Sequence, residues 1–260
     1  MKYKIFTRYC QASIFGIFLM FISCSNIEAF DFSDWDNLVK KYVATKTLKN
    51  ISLNAVDYSS LQKDPIFSGL ISRLESYQPE SSTSREAKLS FWINVYNILA
   101  AKMITDHFPL KSIKDVGNFF SPVWKRSAGI VGRKERTLND IEHEILRKMD
   151  EPRIHVAIVC ASISCPDLRL EAYSAEKLNE QLDDQMRRFL QSQTKGMRVE
   201  VKKNRVYLSS IFKWFAQDFE SRGGVLKFIA PYIPAQERMV LKDPKIKVFY
   251  LDYNWNLNGS

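Results

Sequence analysis

The residues that could do chemistry are few, and most of them lie close together. The chain has 260 residues with three histidines, His107, His143 and His155, and four cysteines. Two of the cysteines, Cys160 and Cys165, follow the apolar run IHVAIV. The sequence has no Gly-x-Ser-x-Gly, P-loop, dinucleotide-binding or His-Glu-x-x-His motif. This excludes the common hydrolase, nucleotide-binding and zinc-protease classes and leaves thiol chemistry.

Cys160 is the candidate nucleophile of such chemistry. It ends an apolar segment typical of a buried strand, and it begins a loop whose amides, at residues 161–164, could stabilise an oxyanion. In a regular strand His155 and Cys160 point to opposite faces, so His143 on the preceding helix is the better candidate base. The groups that could orient this base are Glu142, Asn94 and Asn97.

The same residues allow three other interpretations. A cysteine that ends an apolar strand is more often a core residue than a catalyst. Cys160 and Cys165 could form a disulfide in an oxidising compartment. The two thiols with His143 and His155 are enough ligands for zinc, but their spacing matches no recognised zinc motif. We therefore expect neither a metal nor another cofactor.

The segment from Arg85 to His107 predicts the helix that would position the two amides. Its apolar residues, from Leu89 to Ile104, cover almost half of the helical circumference, which is typical of a largely buried helix. Asn94 lies on a narrow stripe of small and polar residues. A buried amide must find hydrogen-bond partners, so this stripe should face protein.

Other elements are predicted on both sides of the thiols. Asn139, with Glu142 three residues later, predicts a capped helix start. Residues 154–160 predict a buried strand, and residues 124–138 and 197–208 predict hairpins.

These elements predict one α+β domain, with an antiparallel sheet packed against a buried central helix and peripheral helices. Apolar residues alternate from Phe249 to Leu257, which predicts a last strand with one buried face. We assign residues 30–84 to an N-terminal helical extension that packs outside the core, and residues 85–260 to the core domain.

Residues 1–29 have the pattern of a signal peptide or lipoprotein leader. Three basic residues precede the apolar run 12–22, which is shorter than the roughly 20 residues of a membrane-spanning helix. Cleavage could follow Ala29, or Cys24 could be lipidated at a degenerate lipobox. We expect an exported protein that is periplasmic or membrane-anchored at the cell envelope. An uncleaved membrane anchor is the alternative.

Composition and net charge limit the class of protein and the partners that it could bind. The 17 Phe, 11 Tyr and 5 Trp exclude intrinsic disorder, and 9 Gly and 9 Pro exclude a collagen-like or linker chain. Removal of residues 1–29 changes the net charge from +9 to +7, with 35 basic and 28 acidic residues left. In the hairpin at residues 124–138, Arg126 and Lys134 could contact an anionic envelope polymer or lipid head groups. A solvated hairpin face is the alternative. We expect no nucleic acid, and membrane contact only through the N-terminal anchor or leader.

Several ordered motifs resemble the domain of unknown function 547 family over about residues 85–257. They are SFWINVYN (90–97), HFPLKSIK (107–114), LNDIEHEILR (138–147), RIHVAIVCASISCP (153–166), KWF (213–215) and YLDYNW (250–255). The resemblance implies an exported bacterial protein but no particular reaction. It also favours Cys160 as the thiol that matters, because some members have serine at the position of Cys165. The residues at family signature positions are Trp92, Asn94, Asn97, Glu142, His143, His155, Cys160, Ser162 and Pro166.

A buried helix followed by a sheet with a histidine-bearing strand is also reminiscent of papain-like and transglutaminase-like cores, although here no cysteine starts the helix. We predict a thiol-dependent hydrolase or acyl transferase. The alternative is a non-enzymatic envelope binding or structural module with a buried Cys/His network. The candidate binding residues are Trp92, Ser162, Ser164, Arg126 and Lys134.

Overall fold

The computed structural model describes residues 29–79, 84–118 and 120–260. No helix within these ranges is long and apolar enough to cross a membrane. The leader prediction lies outside the described residues, apart from Ala29. The α-helices are α1 (Ser33–Tyr42), α2 (Tyr58–Leu61), α3 (Pro65–Ser76), α4 (Arg85–His107), α5 (Leu178–Gln191), α6 (Ser210–Trp214), α7 (Val225–Ile229) and α8 (Ala235–Leu241). The strands are β1 (Val43–Leu48), β2 (Ile51–Val56), β3 (Ser127–Val131), β4 (Lys134–Thr137), β5 (Met197–Glu200), β6 (Arg205–Ser209) and β7 (Lys247–Leu251).

The predicted α+β class is confirmed. The strands form the hairpins β1–β2 and β3–β4 and a three-stranded sheet in the order β5-β6-β7. Within this sheet, β5 pairs antiparallel with β6, as predicted, but β6 pairs parallel with β7. Three α-helices, α6, α7 and α8, lie in the connection between β6 and β7, so the last strand can enter in the same direction as β6.

Helix α4 is the centre of the main core, as predicted. Its start is capped by Ser84, whose hydroxyl accepts a hydrogen bond from Ala87 N (3.0 Å). Every residue from Leu89 to Ala101 is buried, including the polar ones. A helix buried on all sides can hold parts of the chain on opposite sides of itself, which is how α4 contributes to the site.

The N-terminal segment differs from the predicted helical extension. It contains the β1–β2 hairpin as well as helices, and Trp35 and Leu70 belong to the same buried cluster as α4. The C-terminus also returns to this segment, because Val56 N donates to Asn258 O (3.2 Å) and Ser260 N donates to Val56 O (3.0 Å). The described part of this segment, residues 30–79, is therefore part of the core and does not pack outside it.

The predicted strand at residues 154–160 is wrong. Pro152–Val156 is a 3-10 helix, and the chain then runs without regular structure to Cys160. The segment is apolar because it is buried, not because it is a β-strand. A short buried apolar run cannot be assigned to one of these conformations by its pattern alone. Because there is no strand here, the inference that His155 and Cys160 point to opposite faces no longer holds.

The last strand is also shorter than predicted and has no buried face. It ends at Leu251, and Phe249 is 40% exposed on the outer face of the sheet, where its ring stacks on Tyr207 at 5.2 Å. The alternating residues Tyr253 and Trp255 lie beyond the strand. Because they have left the sheet, their side chains can turn towards the thiols.

Candidate active site

One cleft contains most of the residues with chemical potential. It has a volume of ≈ 300 Å³, and aromatic side chains form much of its wall. The cleft is lined by Tyr96, Trp124, Asn139, Glu142, His143, His155, Ile158, Cys160, Cys165, Pro166, Ile211, Trp214, Phe215, Tyr253 and Trp255. The structure thus brings together both predicted thiols, both candidate bases and Glu142.

The two thiols touch each other. Both are free, Cys160 is half-buried and Cys165 is buried, and their Sγ atoms lie 2.8 Å apart. Tyr253 Oη lies 3.2 Å from Cys165 Sγ and 3.6 Å from Cys160 Sγ. Cys160 N donates a third hydrogen bond to Cys165 Sγ (3.2 Å). Cys165 is therefore the sulfur at which hydrogen-bond donors converge.

These contacts separate the acidities of the two thiols. Burial acts to raise the pKa of Cys165, but the hydrogen bonds from Cys160 and Tyr253 outweigh it and lower this pKa to about 7. The pKa of Cys160 is raised well above its usual value by its hydrogen bond to Cys165 and by burial. Near pH 7 about half of the pairs have therefore lost one proton; in these the remaining proton lies on Cys160 and the negative charge on Cys165.

The thiol loop, residues 160–165, is held from two sides. Asn97 Nδ2 donates to Ala157 O (3.0 Å), and Val159 N donates to Asn97 Oδ1 (2.8 Å), which fixes the backbone before Cys160. On the other side, Asn254 N donates to Ser164 Oγ (2.9 Å). The sequence suggested that Asn97 orients a catalytic base; the structure shows instead that it orients the backbone that carries the nucleophile.

Asn94 also binds backbone and no imidazole. Its amide exchanges two hydrogen bonds with Tyr173, Nδ2 to O (2.8 Å) and N to Oδ1 (2.9 Å). The predicted oxyanion site in the loop is incomplete as well, because Ile163 N and Ser164 N donate to the carbonyls of residues 256 and 254. Both predictions failed because a side chain or amide inside a core is used first to satisfy neighbouring backbone.

Glu142 lies on an irregular helical turn. Asp140–Leu146 is a π-helix, a rare form that often occurs at functional sites. Asn139 makes no side-chain cap, contrary to the predicted capping box. The start is held instead by Thr137 and Asp140, because Asp140 N donates to Thr137 Oγ1 (3.0 Å) and Thr137 N donates to Asp140 Oδ2 (3.1 Å).

The Glu142 carboxyl is held in its neutral form up to neutral pH. Its side chain is 14% exposed, and burial raises its pKa to about 7 although the charge of Arg147 opposes this. Tyr96 Oη donates to Glu142 Oε2 (3.5 Å), and Glu142 Oε1 lies 4.0 Å from His155 Nδ1. A carboxyl with this pKa can both give and take a proton near pH 7.

His155 is fixed on one side and has an unpaired nitrogen on the other. Its Nε2 lies 2.8 Å from Asp218 Oδ2, and its ring stacks on Phe215 with 4.0 Å between centroids. Burial lowers the pKa of His155 although Asp218 favours its charged form. Its Nδ1 is buried without a hydrogen-bond partner. An unpaired polar atom beside a carboxyl, in a residue that lines the cleft, is a position where a polar group of a ligand can bind.

Asp218 and Arg147 support this histidine from behind. Arg147 donates twice to Asp218, Nε to Oδ2 (2.7 Å) and Nη2 to Oδ1 (2.6 Å). Burial acts to raise the pKa of Asp218, but Arg147 and His155 hold it well below its usual range. Arg147 Nη1 also lies 2.7 Å from His143 Nδ1. Burial and this positive charge lower the pKa of His143.

Neither candidate base is hydrogen-bonded to a thiol in the part of the chain that the structure describes. His143 contacts Arg147, and His155 contacts Asp218. The described residues also contain no group of three or more His, Cys, Asp or Glu side chains that could hold a metal ion. The two thiols contact each other and Tyr253, and Cys160 also contacts Ser162.

The comparison with protein families bears on this same stretch. The model of a family described as protein of unknown function, DUF547, matches residues 80–190. The resemblance to this family is therefore confirmed over residues 80–190. No curated protein and no solved structure matches the chain. The part of the sequence resemblance that extends from residue 191 to residue 257 stays a prediction.

The DUF547 segment supplies both thiols, Glu142 and His155, but not the whole cleft. Trp214, Tyr253 and Trp255, which line the cleft, and Asp218, which contacts His155 Nε2, lie after the matched residues. From the sequence these residues have no predicted role in the site, although Trp214, Tyr253 and Trp255 lie in the KWF and YLDYNW motifs. These two motifs could have indicated that the three residues belong to the site. No motif contains Asp218, which is relevant only through its contacts with Arg147 and His155.

The five predicted binding residues have other contacts, and none of them lines the cleft. Trp92 is buried in the core under the Arg136 guanidinium, which lies 5.4 Å from the ring centroid. Ser162 is buried with its Oγ 3.5 Å from Cys160 Sγ, and Ser164 Oγ binds Asn254 N. Two basic residues complete the set. Arg126 Nη1 donates to Val116 O (2.7 Å), and Lys134 is exposed on β4.

Replacing Glu142 with glutamine should remove a pH-dependent loss of stability. The folded-state pKa of Glu142 is raised from 4.5 to about 7, so folding favours its protonated form. The wild-type stability at this position is then intact below about pH 4.5 and lost as pH rises to about 7, at a cost of at most about 3 kcal/mol. Glu142→Gln should be the more stable protein at pH 8 and nearly equal to wild type at pH 4.

Urea unfolding at pH 4, 6 and 8 measures this difference. Glu144→Gln is the matched control, because Glu144 lies in the same helical turn with a side chain that is 60% exposed. A difference between wild type and Glu142→Gln that does not change with pH would show that Glu142 titrates normally.

Proposed function

We propose that the chain is a thiol-dependent hydrolase or acyl transferase with Cys160 as its nucleophile. The observation that carries this proposal is the contact between Cys160 Sγ and Cys165 Sγ, 2.8 Å apart at the wall of a cleft that also contains Glu142 and His155. Nucleophile, proton acceptor and a group with a pKa near 7 are the parts that acyl transfer needs.

Cys165 takes the place that an imidazole has in other thiol enzymes. Its sulfur carries the negative charge and contacts the Cys160 thiol. As Cys160 Sγ attacks the acyl carbon, its proton passes to Cys165, a carbon–sulfur bond forms, and the carbonyl electron pair moves to oxygen. The more exposed thiol is thus the nucleophile, which agrees with the role that the sequence gave to Cys160.

Glu142 can complete the proton transfers. In its neutral form it donates a proton to the leaving group as the acyl–oxygen or acyl–nitrogen bond breaks and the thioester forms. As a carboxylate it then accepts a proton from water or from an acceptor molecule that attacks the thioester. A pKa of about 7 suits both steps. The unpaired His155 Nδ1 offers a hydrogen bond to the bound substrate or to that nucleophile.

The cleft wall favours acyl groups with an apolar or aromatic part. Trp214 and Trp255 stack with their ring centroids 5.7 Å apart, and Tyr253 lies 4.5 Å from Trp255. Trp214 remains 48% exposed. Stacked rings at the mouth of a cleft bind flat or apolar groups and exclude water from the reacting atoms.

Trapping of an acyl-thioester tests the proposal. The full chain is mixed with p-nitrophenyl esters of aliphatic and aromatic acids, quenched in acid and digested with trypsin. Cleavage after Arg153 and Arg169 gives peptide 154–169, which contains Cys160 and Cys165 and no other cysteine. We expect a burst of nitrophenol and one acyl group on Cys160 of this peptide. Cys160→Ala should abolish both.

One result of the same experiment would contradict the proposal. A peptide that stays unacylated with every ester, while its thiols still react with iodoacetamide, would remove the case for acyl transfer. It would favour the second candidate, a non-enzymatic envelope binding or structural module. The observation that supports this candidate is the Arg147–Asp218–His155 network, which contacts neither thiol. In that case Cys160→Ala should change stability only.

We also propose that the chain is exported and held at the cell envelope. The basic residues and the apolar run before residue 23 support this. The mass of the mature protein decides between cleavage after Ala29 and a lipidated Cys24, and a mature chain that keeps residue 1 would oppose both.

A further inference from the structure

In the acyl-transfer proposal Cys165 acts only as a proton acceptor. Two thiols in contact can also be oxidised together to a disulfide. We infer that Cys160 and Cys165 are a reversible dithiol–disulfide couple that reduces low-molecular-weight disulfides entering the cleft. This inference goes beyond acyl transfer and does not rest on it, because it needs neither Glu142 nor an acyl donor.

The positions of the two sulfurs carry the inference. A disulfide bond is about 2.05 Å long, so the Sγ atoms, 2.8 Å apart, need to approach by less than about 1 Å. We expect rotation of the two side chains to close this small gap without movement of the backbone, which hydrogen bonds hold on both sides. Asn97 binds Val159 N before the first thiol, and Asn254 binds Ser164 Oγ before the second.

The loop between the thiols is bent into the shape that closure needs. Ala161 has a φ of +58°, in the left-handed region that residues with a Cβ rarely adopt. Asn258 N donates to its carbonyl (3.0 Å) and Cys165 N donates to Ser162 O (3.0 Å). The bend returns the chain so that Cys165 Sγ meets Cys160 N and Sγ. In an unfolded chain this conformation would be one of many.

The two thiols differ in the way that a disulfide-exchange pair requires. Cys160 is half-buried and lines the cleft, so it can meet an external disulfide. Cys165 is 3% exposed, lies behind it and carries the negative charge. One thiol can attack the substrate and the other can resolve the product.

The reaction balances in two steps. Cys160 passes its proton to Cys165 and attacks a disulfide RSSR; a bond forms between Cys160 Sγ and one R sulfur, and the R–S–S–R bond breaks. The departing thiolate takes the proton from Cys165 and leaves as RSH. Cys165 thiolate then attacks Cys160 Sγ, closes the protein disulfide and releases the second RS⁻, which takes a proton from water. The protein loses two electrons, and RSSR gains them.

A redox titration of the full chain tests the couple. The reduced protein is equilibrated at pH 7 in mixtures of oxidised and reduced glutathione, quenched in acid, alkylated and digested with trypsin. We expect peptide 154–169 to pass in one transition from two alkylated cysteines to an internal disulfide, and to return when reduced glutathione is added. In 8 M urea the transition should need a glutathione disulfide-to-thiol ratio roughly tenfold higher or more, because the two sulfurs are then no longer held together.

Single-thiol variants separate the two roles. In Cys165→Ser, glutathione should accumulate on Cys160 as a stable mixed disulfide, because nothing resolves it. In Cys160→Ser, the buried Cys165 should react far more slowly than Cys160 does in Cys165→Ser.

Three results would overturn the inference. The first is a peptide that stays dithiol in oxidised glutathione, and the second is a bond that reduced glutathione cannot open. The third is a folded protein that needs the same or a higher disulfide-to-thiol ratio than the chain in urea. All readouts are peptide masses without an ester substrate, so they are independent of the acyl-thioester experiment.

Discussion

Replacing Cys165 with alanine should shift the pH midpoint of Cys160 alkylation from about 7 to above about 8.5. In the wild-type protein the pair ionises together, with the pKa of Cys165 lowered to about 7. Without Cys165, the Cys160 thiol keeps the burial that raises its pKa but loses the neighbour that accepts its proton. The ionised fraction at pH 7 should fall roughly 15-fold from that of the wild-type pair to that of Cys160 alone.

Iodoacetamide rates from pH 5 to pH 10, followed on peptide 154–169, measure this midpoint. The midpoint is the better quantity, because a thiolate of higher pKa is also intrinsically more nucleophilic and partly offsets a single-pH rate. Tyr253→Phe is the graded control. It removes one hydrogen bond, 3.2 Å from Cys165 Sγ, and should raise the midpoint less than Cys165→Ala does. A midpoint that stays near pH 7 without Cys165 would refute the shared proton, and with it the proposed role of Cys165 as base.

The second large effect is expected for Asn97→Ala. The substitution removes both hydrogen bonds of a buried amide and leaves Ala157 O and Val159 N without partners in the core. Each unsatisfied buried group costs about 1–3 kcal/mol, so the free energy of unfolding should fall by roughly 2–5 kcal/mol. The backbone before Cys160 should also loosen, which would raise the alkylation midpoint of the thiol pair.

Urea unfolding at pH 7 gives the first quantity and the iodoacetamide profile gives the second. Asn256→Ala is the matched control, because this amide is exposed and its side chain donates a hydrogen bond to Asn254 Oδ1 on the surface of the protein. Its effect should stay within about 0.5 kcal/mol. If Asn97→Ala were no more destabilising than this control, the amide would not be what holds the thiol loop.

The sequence predicted the composition of the site better than its geometry. A buried helix α4 followed from its periodicity, and the loop with Cys160 and Cys165 followed from residue chemistry. The strand at residues 154–160 did not follow, because an apolar run reports burial and not backbone conformation. Once Pro152–Val156 forms a 3-10 helix, the direction of the His155 side chain can no longer be derived from the spacing.

The contacts between the thiol loop and its neighbours could not be predicted either, and the reason is different. Asn94 and Asn97 were correctly expected to be buried, but a polar stripe does not say whether it binds a side chain or backbone. Tyr253 and Asp218 reach the site from far along the chain. Contacts of this kind depend on how the elements pack, which hydrophobic periodicity does not encode.

The return of the C-terminus to the thiol loop has a consequence for how the protein folds. Asn254 and Ser164 are 90 residues apart in the sequence, and Tyr253 and Cys165 are 88 apart. Contacts of such separation form only after the entropy cost of closing a long loop has been met, so they belong to a slow, late part of folding. During synthesis the thiol loop is made well before residues 253 and 254. The two cysteines should therefore remain ordinary, weakly acidic thiols until these later residues have joined them, and their reactivity should appear together with the native fold.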